Sequence, residues 1–547
     1  MKRTWWKEAV MYQIYPRSFN DSNDDGIGDI PGIIEKVPYL KDLGVDIIWL
    51  GPVYESPNDD NGYDISDYRR IQADYGTMKD LEELLDLLHQ QGMKLIMDLV
   101  VNHTSDEHYW FKEARKSKDN KFRDFYIWKD QPNNYLSYFG GSAWEYTKET
   151  DQYYLHLFTK KQPDLNWENP KVRGEVYDIM RFWLDKGVDG FRMDVISLIS
   201  KKTDFANARS QDLNVLITED YANGPRIHEY LKEMNREVLH DYDVMTVGEG
   251  PGITIDHVLD YVGEDREELD MIFQLELMFL DFGPEGKFDY RPFSIKDLKS
   301  VFLKWDKAVK AKGWNNIFLD NHDFPRMTSR FGDDENYRIQ SAKLLSMLLL
   351  TFRGTPCIYQ GSEIGMTNVA FDSIEDYDDV ETLNMYHKYV GSGLMSEDDF
   401  LKIVHIQGRD NARTPMQWNT SPNAGFTKGH PWIKVNPNFK TINVETDRNS
   451  KDSIFEFYKK LIALRKASEE LVYSDLVEVD AGSDTLFYYQ RGSFHIILNM
   501  SSGNQVTNIQ EQGKMADLVL SNYNDSRLGE SQVELRPWEG VILRIKN

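Results

Sequence analysis

Short apolar runs recur along the chain, each closed by polar residues or glycine. There are eight of them: "AVMYQIYP" from Ala9, "VDIIWLGP" from Val45, "KLIMDLVVNH" from Lys94, "VDGFRMDV" from Val188, "DVMTVGE" from Asp243, "MIFQLEL" from Met271, "NIFLDNHD" from Asn316 and "TPCIYQGSE" from Thr355. Their length and their β-branched and aromatic content suit buried strands. Helical patterns lie between most of them. "TMKDLEELLDLLHQQG" opens on Thr77, a capping residue, repeats leucine at helical spacing and closes at Gly92. "NPKVRGEVYDIMRFWLDKG" precedes the fourth run and "SAKLLSMLLLTFRG" the eighth. This alternation predicts an α/β fold with a parallel sheet, and eight units favour a closed (β/α)8 TIM barrel over an open sheet.

Two segments break the rhythm. Residues 104–170 part the third run from its helix and are rich in Tyr, Trp, Asp and Asn. They are too long for an ordinary βα loop, so a small inserted domain over the barrel mouth is expected. From about Leu471 the pattern turns to period-two strands, as in "DTLFYYQRG", "SFHIILNMS" and "EGVILRIKN". That predicts a C-terminal antiparallel β-sandwich. The expected division is a barrel from 1–103 and 171–470, an insert over 104–170 and a sandwich over 471–547.

Composition narrows the partners. A net charge of −26 argues against nucleic acid and reads as a solubilising surface, which a neutral substrate would tolerate. Cys357 is the only cysteine, so no internal disulfide forms, which suits a reducing, cytoplasmic setting. "MKRTWWKEAV" is basic but lacks the apolar stretch of a secretory signal. No run approaches the roughly 18 apolar residues of a membrane span. A monomer with no membrane partner is expected.

In such barrels the chemistry lies at the C-terminal ends of the strands. Those ends carry Asp98, Asn102 and His103, then Arg192 and Asp194, Glu249, and His322 with Asp323. Helix caps and loop contacts explain any one of these, but hardly all of them at one mouth. Residues two apart on a strand point the same way, so Arg192 and Asp194 face one interior. The guanidinium is expected to lower the pKa of Asp194 and keep it ionised as a nucleophile. Asp98 is expected to hold Arg192 in place. Glu249 is expected to be the proton donor, its pKa raised by nearby negative charge. One ionised and one protonated carboxyl group is what retaining glycoside cleavage requires.

"DLVVNH" (98–103), "GFRMDV" (190–195), "VGE" (247–249) and "NHD" (321–323) resemble the signature regions of the α-amylase superfamily, glycoside hydrolase family thirteen. The resemblance runs from "MYQIYPRSF" to the C-terminal sandwich. It implies that Asp194 forms a β-linked glucosyl-enzyme, that Glu249 serves as acid and then base, and that Asp323 binds sugar hydroxyls and helps distort the ring. It implies that His103 and His322 hydrogen-bond the same sugar and that Arg192 supports the nucleophile. "DDNGYD" (59–64) resembles the segment in which Asp60 grips the non-reducing glucose and Tyr63 stacks on it. Arg413, in "GRDNARTPMQW", resembles the arginine that pairs with Asp60. Blocking one end of the cleft in this way implies an exo-acting enzyme. Phe139 and Gln162 resemble further pocket residues, although packing within the insert also explains them.

Within the superfamily the chain looks most like oligo-1,6-glucosidases and dextran glucosidases, as in "KKQPDLNWENP" (160–170). Val195 follows the nucleophile, and in this subgroup valine there goes with α-1,6 cleavage and threonine with α-1,4. Threonine offers a hydroxyl near the +1 sugar where valine offers only methyls, a difference of a few kcal/mol at most. Glu381, in "DVETLN", is placed to contact the +1 sugar. Neighbouring activities share the scaffold. Sucrose isomerases carry an arginine-rich loop after the seventh strand, where this chain reads "FPRMTSRFG". Trehalose-6-phosphate hydrolases need a phosphate grip, and Lys201–Lys202 is read instead as a solvated loop. Gly250 stands where many oligo-1,6-glucosidases carry methionine, which leaves the +1 and +2 preferences open. A non-catalytic sugar-binding relative typically loses the acids, and this chain keeps Asp194, Glu249 and Asp323.

"DSNDDGIGD" (21–29) sets Asp21, Asn23, Asp25 and Asp29 at alternating positions with Gly26 at a sharp turn. The pattern is similar to an EF-hand loop, without the glutamate at its twelfth position. The subgroup resemblance implies one structural Ca²⁺ here, with the Ile27 carbonyl as a further ligand. An Asp/Gly turn without metal is the alternative.

Overall fold

The computed structural model describes residues 3–284, 286–509, 515–529 and 532–546. The start of the basic N-terminal run and Asn547 of "EGVILRIKN" lie outside the described residues. Each of the eight apolar runs forms a strand: β1 Met11–Ile14, β2 Ile47–Leu50, β3 Lys94–Leu99, β4 Gly190–Met193, β5 Met245–Glu249, β6 Met271–Phe273, β7 Asn316–Ile317 and β8 Thr355–Tyr359. They lie side by side in the order β7-β8-β1-β2-β3-β4-β5-β6, parallel throughout. The barrel is nearly closed. Among the described residues no ladder joins β6 to β7. The seam is bridged by the Phe273 and Phe318 rings, edge to face at 5.0 Å, a contact that contributes about 0.5–1.5 kcal/mol beyond its burial.

Local signals place the helices where their patterns lie. Thr77 accepts the Asp80 N–H while the Asp80 carboxylate takes the Thr77 N–H, which fixes the start of helix Met78–Gln90. Helix Arg338–Thr351 is buried on all sides from Ser341 onward, because it lies between the barrel and the C-terminal sheet.

That sheet is antiparallel, in the order Leu476–Glu478, Leu486–Arg491, Phe494–Asn499, Gly540–Ile545 and Ala516–Ser521. A two-stranded sheet, Gln505–Asn508 with Gln532–Leu535, covers it. Period two divides the residues cleanly. Leu486 and Tyr488 join Val533, Leu535 and Leu543 in the sandwich core. Phe487 and Tyr489 join Phe352 in the barrel's core. The expected boundary at 471 falls inside helix Glu469–Tyr473, and the sheet starts at Leu476.

The segment after β3 holds a three-stranded sheet, Trp128–Lys129, Gln152–Leu155 and Trp144–Thr147. It rejoins the barrel through a bridge between His103 and Asp164, and a second bridge, Tyr126 to Leu165, ties the insert to itself. Its Phe139 and Phe158 share a core with Val195, Leu216 and Tyr221 from the stretch after β4. A second excursion follows β8, with helices Val380–Tyr389, Glu397–Gln407 and Asp410–Arg413. Sequence reading counted it as plain barrel. Asn384 Nδ2 reaches across to the Phe139 carbonyl at 3.1 Å, so the two excursions meet over the mouth.

Candidate active site

The predicted acids do converge. At the ends of β3, β4 and β5, one guanidinium gathers three carboxylates. Arg192 Nη1 donates to Asp98 Oδ1 and to Asp194 Oδ1, both at 2.6 Å, and Nη2 lies 2.8 Å from Glu249 Oε2. Asp98 is held further by the Trp49 indole N–H at 2.8 Å. All four residues are buried.

The expectation of a lowered Asp194 pKa is overturned. Burial pushes Asp194 up to about 7, against the pull of Arg192 and with help from Asp98. Glu249 rises to about 7 as well, through burial first and the charges of Asp194 and Asp323 second. Asp98 rises to about 6 for the same leading reason. One positive charge divided among three buried carboxylates does not offset their desolvation.

The other wall has the opposite balance. Asp323 Oδ1 accepts from Arg413 Nη2 at 2.9 Å and from Arg409 Nη1 at 3.2 Å. Burial would raise Asp323, but His322, Arg409 and Arg413 outweigh it and hold it well below the usual carboxylate range. Burial lowers His322 to about 3, so near neutral pH the ring is uncharged and the guanidiniums do this work. Gln13 Nε2 donates to His322 Nδ1 at 2.8 Å, which leaves the ring proton on Nε2, 2.6 Å from Tyr63 Oη and 3.1 Å from Asp323 Oδ2. Tyr63 stacks on that ring at 5.2 Å.

The remaining pocket candidates fall into place with one correction. Gln162 Nε2 donates to Asp60 Oδ2 at 3.2 Å and lies 3.2 Å from His103 Nε2. Burial lowers His103 to about 4, so it too is neutral. The arginine in contact with Asp60 is Arg409, at 3.4 Å, rather than Arg413. One helical turn further on, Arg413 is directed at His322 and Asp323 instead. Its Nε donates to the His322 carbonyl at 2.9 Å. Arg409 lies over the Phe139 ring at 4.9 Å and is clamped by Asp379 at 2.6 Å. Glu381 pairs with Lys287 at 2.9 Å and stands 3.7 Å from Arg409. Sequence reading missed Arg409, Asp379, Lys287 and Gln13. The signal for Arg409 was available, since "GRDNAR" carries two arginines a turn apart.

Val195 sits at φ +36°, ψ +40°. A β-branched side chain there is strained by about 1–3 kcal/mol. Its N–H donates to Glu249 Oε2 at 3.2 Å. Lys201 is not the solvated residue expected. It is buried, with Nζ 2.8 Å from both Asp164 and Asn102, because a buried carboxylate there needs a cation. Lys202 pairs with Asp220.

The 21–29 loop is a chain of side-chain-to-backbone turns. Asp21 accepts the N–H groups of Asn23, Asp24 and Gly26, Asn23 that of Asp25, and Asp25 that of Ile27. Asp29 caps helix Ile30–Leu43. Among the described residues no group of three or more His, Cys, Asp or Glu is placed to hold a metal. The loop's donors, completed by Asn23 and the Ile27 carbonyl, are all oxygens, which suits a hard cation. Among the described residues no helix is long and apolar enough to cross a membrane.

Comparison with known proteins decides the family. Residues 13–474 match the model of the alpha amylase catalytic domain. The chain belongs to the α-amylase superfamily. It is 55% identical to an oligo-1,6-glucosidase of Parageobacillus thermoglucosidasius, with 100% of each chain covered. It is 46% identical to a trehalose-6-phosphate hydrolase of Bacillus subtilis, covering 99% of this chain and 98% of that one. The isomaltulose synthase SmuA from Protaminobacter rubrum superposes with a TM-score of 0.97 at 44% identity over 100% of both chains. This α-amylase superfamily member is thus a glycoside hydrolase, in the group of oligo-1,6-glucosidases and isomaltulose-forming enzymes that work on α-glucosidic bonds.

Proposed function

We propose that the protein is an exo-acting, retaining α-glucosidase that removes glucose from the non-reducing end of α-1,6-linked oligosaccharides. The observation that carries this reading is the shared guanidinium. Arg192 holds Asp194 and Glu249 in one buried pocket, and both carboxyl groups sit at about 7. Near neutral pH the pair holds one proton between them, one member charged and one not. Asp194 attacks C1 of the terminal glucose while the proton on Glu249 passes to the glycosidic oxygen, and the bond to the leaving sugar breaks. Glu249, now ionised, takes a proton from water, whose oxygen displaces Asp194 from C1 and releases glucose. Asp323, kept ionised, accepts hydrogen bonds from sugar hydroxyls, and Asp60 with Gln162 and Arg409 closes the pocket beyond the first glucose.

Several features favour hydrolysis of a neutral α-1,6 substrate. Lys201 and Lys202 are engaged by Asp164 and Asp220, so they offer no phosphate grip. Both arginines of "FPRMTSRFG" serve the scaffold: Arg326 donates to the carbonyls of Asn411 and Ala412, and Arg330 to Asp281 and the Met278 carbonyl. They are not free to line an isomerase loop. Val195, next to Asp194 and clustered with Phe139 and Phe158, offers methyls where threonine would offer a hydroxyl. The test is glucose release from isomaltose and maltose, at equal concentration, by wild type and Val195→Thr. Wild type is expected to prefer isomaltose and the variant to gain on maltose by a factor within about 10–200. Equal or better cleavage of maltose by wild type would sink the linkage assignment.

The 21–29 loop is proposed to bind one structural Ca²⁺ through Asp21, Asn23, Asp25, the Ile27 carbonyl and Asp29. The ion would order the turn that precedes helix Ile30–Leu43. A chelator should lower the melting temperature and added Ca²⁺ restore it. Melting curves that ignore both would refute the site.

A further inference from the structure

Among the described residues Val195 is the one β-branched residue at positive φ; the other non-glycine residues there are chiefly Asn and Asp. Such a conformation persists only when its surroundings over-determine it. Here they do. On one side, the Asp194 N–H is still tied to the Leu99 carbonyl at 3.0 Å, as if β4 continued. On the other, the chain folds at once into the short helix Ile196–Leu198. Ser197 Oγ in that helix donates to the Pro251 carbonyl at 2.6 Å. Ile196 packs where a side chain on Gly248 would stand, its Cγ2 2.8 Å from that glycine's Cβ position. Val195 takes up the whole turn between these anchors, and its N–H is thereby brought to Glu249.

We propose that this strained peptide is a positioning device that selects which oxygen of Glu249 carries the catalytic proton. Oε2 is paired with the Arg192 guanidinium, whose Nη2 lies 2.8 Å away, and accepts the Val195 N–H at 3.2 Å. Among the described residues none donates to Oε1. An oxygen that faces a guanidinium and already accepts a backbone hydrogen bond is the poorer place for a proton. The proton therefore resides on Oε1, the oxygen left to serve the leaving group. The inference rests on the proposed role of Glu249 but not on linkage preference. It assigns the backbone of Val195 a task separate from that of its methyl groups.

The experiment replaces Val195 with its α-hydroxy acid, so that an ester stands where the 194–195 amide stood. The side chain is kept and only the N–H is lost. Two substrates are compared, isomaltose, whose leaving group needs a proton, and α-glucosyl fluoride, whose leaving group does not. The expected result is a loss of about tenfold in kcat/KM on isomaltose, a small part of the roughly 10²–10⁴ that general acid catalysis supplies, with α-glucosyl fluoride nearly spared. The N–H favours the ionised carboxylate, so its removal should move the high-pH limb on isomaltose upward. Val195→Gly keeps the N–H and accepts the left-handed backbone freely, so its limb should stay in place even as lost packing lowers activity. Equal losses on both substrates would reduce the contact to scaffolding, and an unmoved limb in the ester would overturn the proposal. If maltose proves the better substrate, the linkage assignment fails while this comparison still reads the positioning role.

Discussion

The two walls of the pocket are built from the same residue types and end in opposite states. On the Asp194 wall one arginine meets three carboxylates, and burial raises the acids to about 6 or 7. On the Asp323 wall two arginines meet the central acid, and it stays ionised. The ratio of guanidinium to carboxylate, together with the greater exposure of Asp323, decides which wall exchanges protons and which binds with fixed charge. A glycosidase needs both kinds.

Substitutions can break that contrast. Glu249→Gln removes the exchangeable proton and should cut isomaltose cleavage by roughly 10²–10⁴, with α-glucosyl fluoride much less affected; equal loss on both would deny Glu249 the acid role. Arg409→Leu strips the fixed-charge wall of a buried partner shared by Asp60, Asp323 and Asp379. It should destabilise the fold by about 3–5 kcal/mol in denaturant titrations, and an unchanged midpoint would show that Arg413 suffices alone.

The next pair sharpens the comparison through stability. Asp194 binds its proton more tightly folded than unfolded, so its contribution to stability falls as pH rises from about 4 to about 7 and then levels. Asp194→Asn should therefore raise the melting temperature above pH 7 and do little near pH 4. Asp323 has a lowered pKa, so its contribution is present above the unfolded value and lost as pH falls. Asp323→Asn should lower the melting temperature at neutral pH, by an energy on the order of 1–3 kcal/mol. Shifts of the same sign in both variants would erase the distinction between the walls. The smallest effect is expected at Gln13→Leu. It removes the donor that sets the His322 tautomer and should raise KM more than it lowers kcat, by a few-fold; a kcat-only change would place His322 in the chemistry itself.

The strands were legible because each apolar run is punctuated, and the acids were legible because they stand at the ends of those runs. The charge state of Asp194 was not. Its neighbour Arg192 is visible two residues away, but the desolvation that outweighs it comes from β3, β5 and the insert, far off in the chain. Lys201 was misread for the same reason, since its partner Asp164 lies in the insert. Arg409 and Asp379 escaped because they sit in the excursion after β8, whose short helices carry no strand-end marker. The resemblance drew attention to Arg413 and passed over the arginine one turn earlier.

The alternating side chains of strand Leu486–Arg491 have a consequence for how the molecule comes apart. Phe487 and Tyr489 belong to the barrel's core while Leu486 and Tyr488 belong to the sandwich. Arg491 Nη1 grips the carbonyl at the end of helix Arg338–Thr351 at 2.7 Å, and Thr351 and Tyr489 share a hydroxyl contact of 2.7 Å. A strand with a face in each core cannot leave one without opening the other. The C-terminal sheet is therefore not a detachable module: the two cores should melt as one cooperative unit, and damage to the sandwich should be felt at a sugar pocket on the far side of the barrel wall.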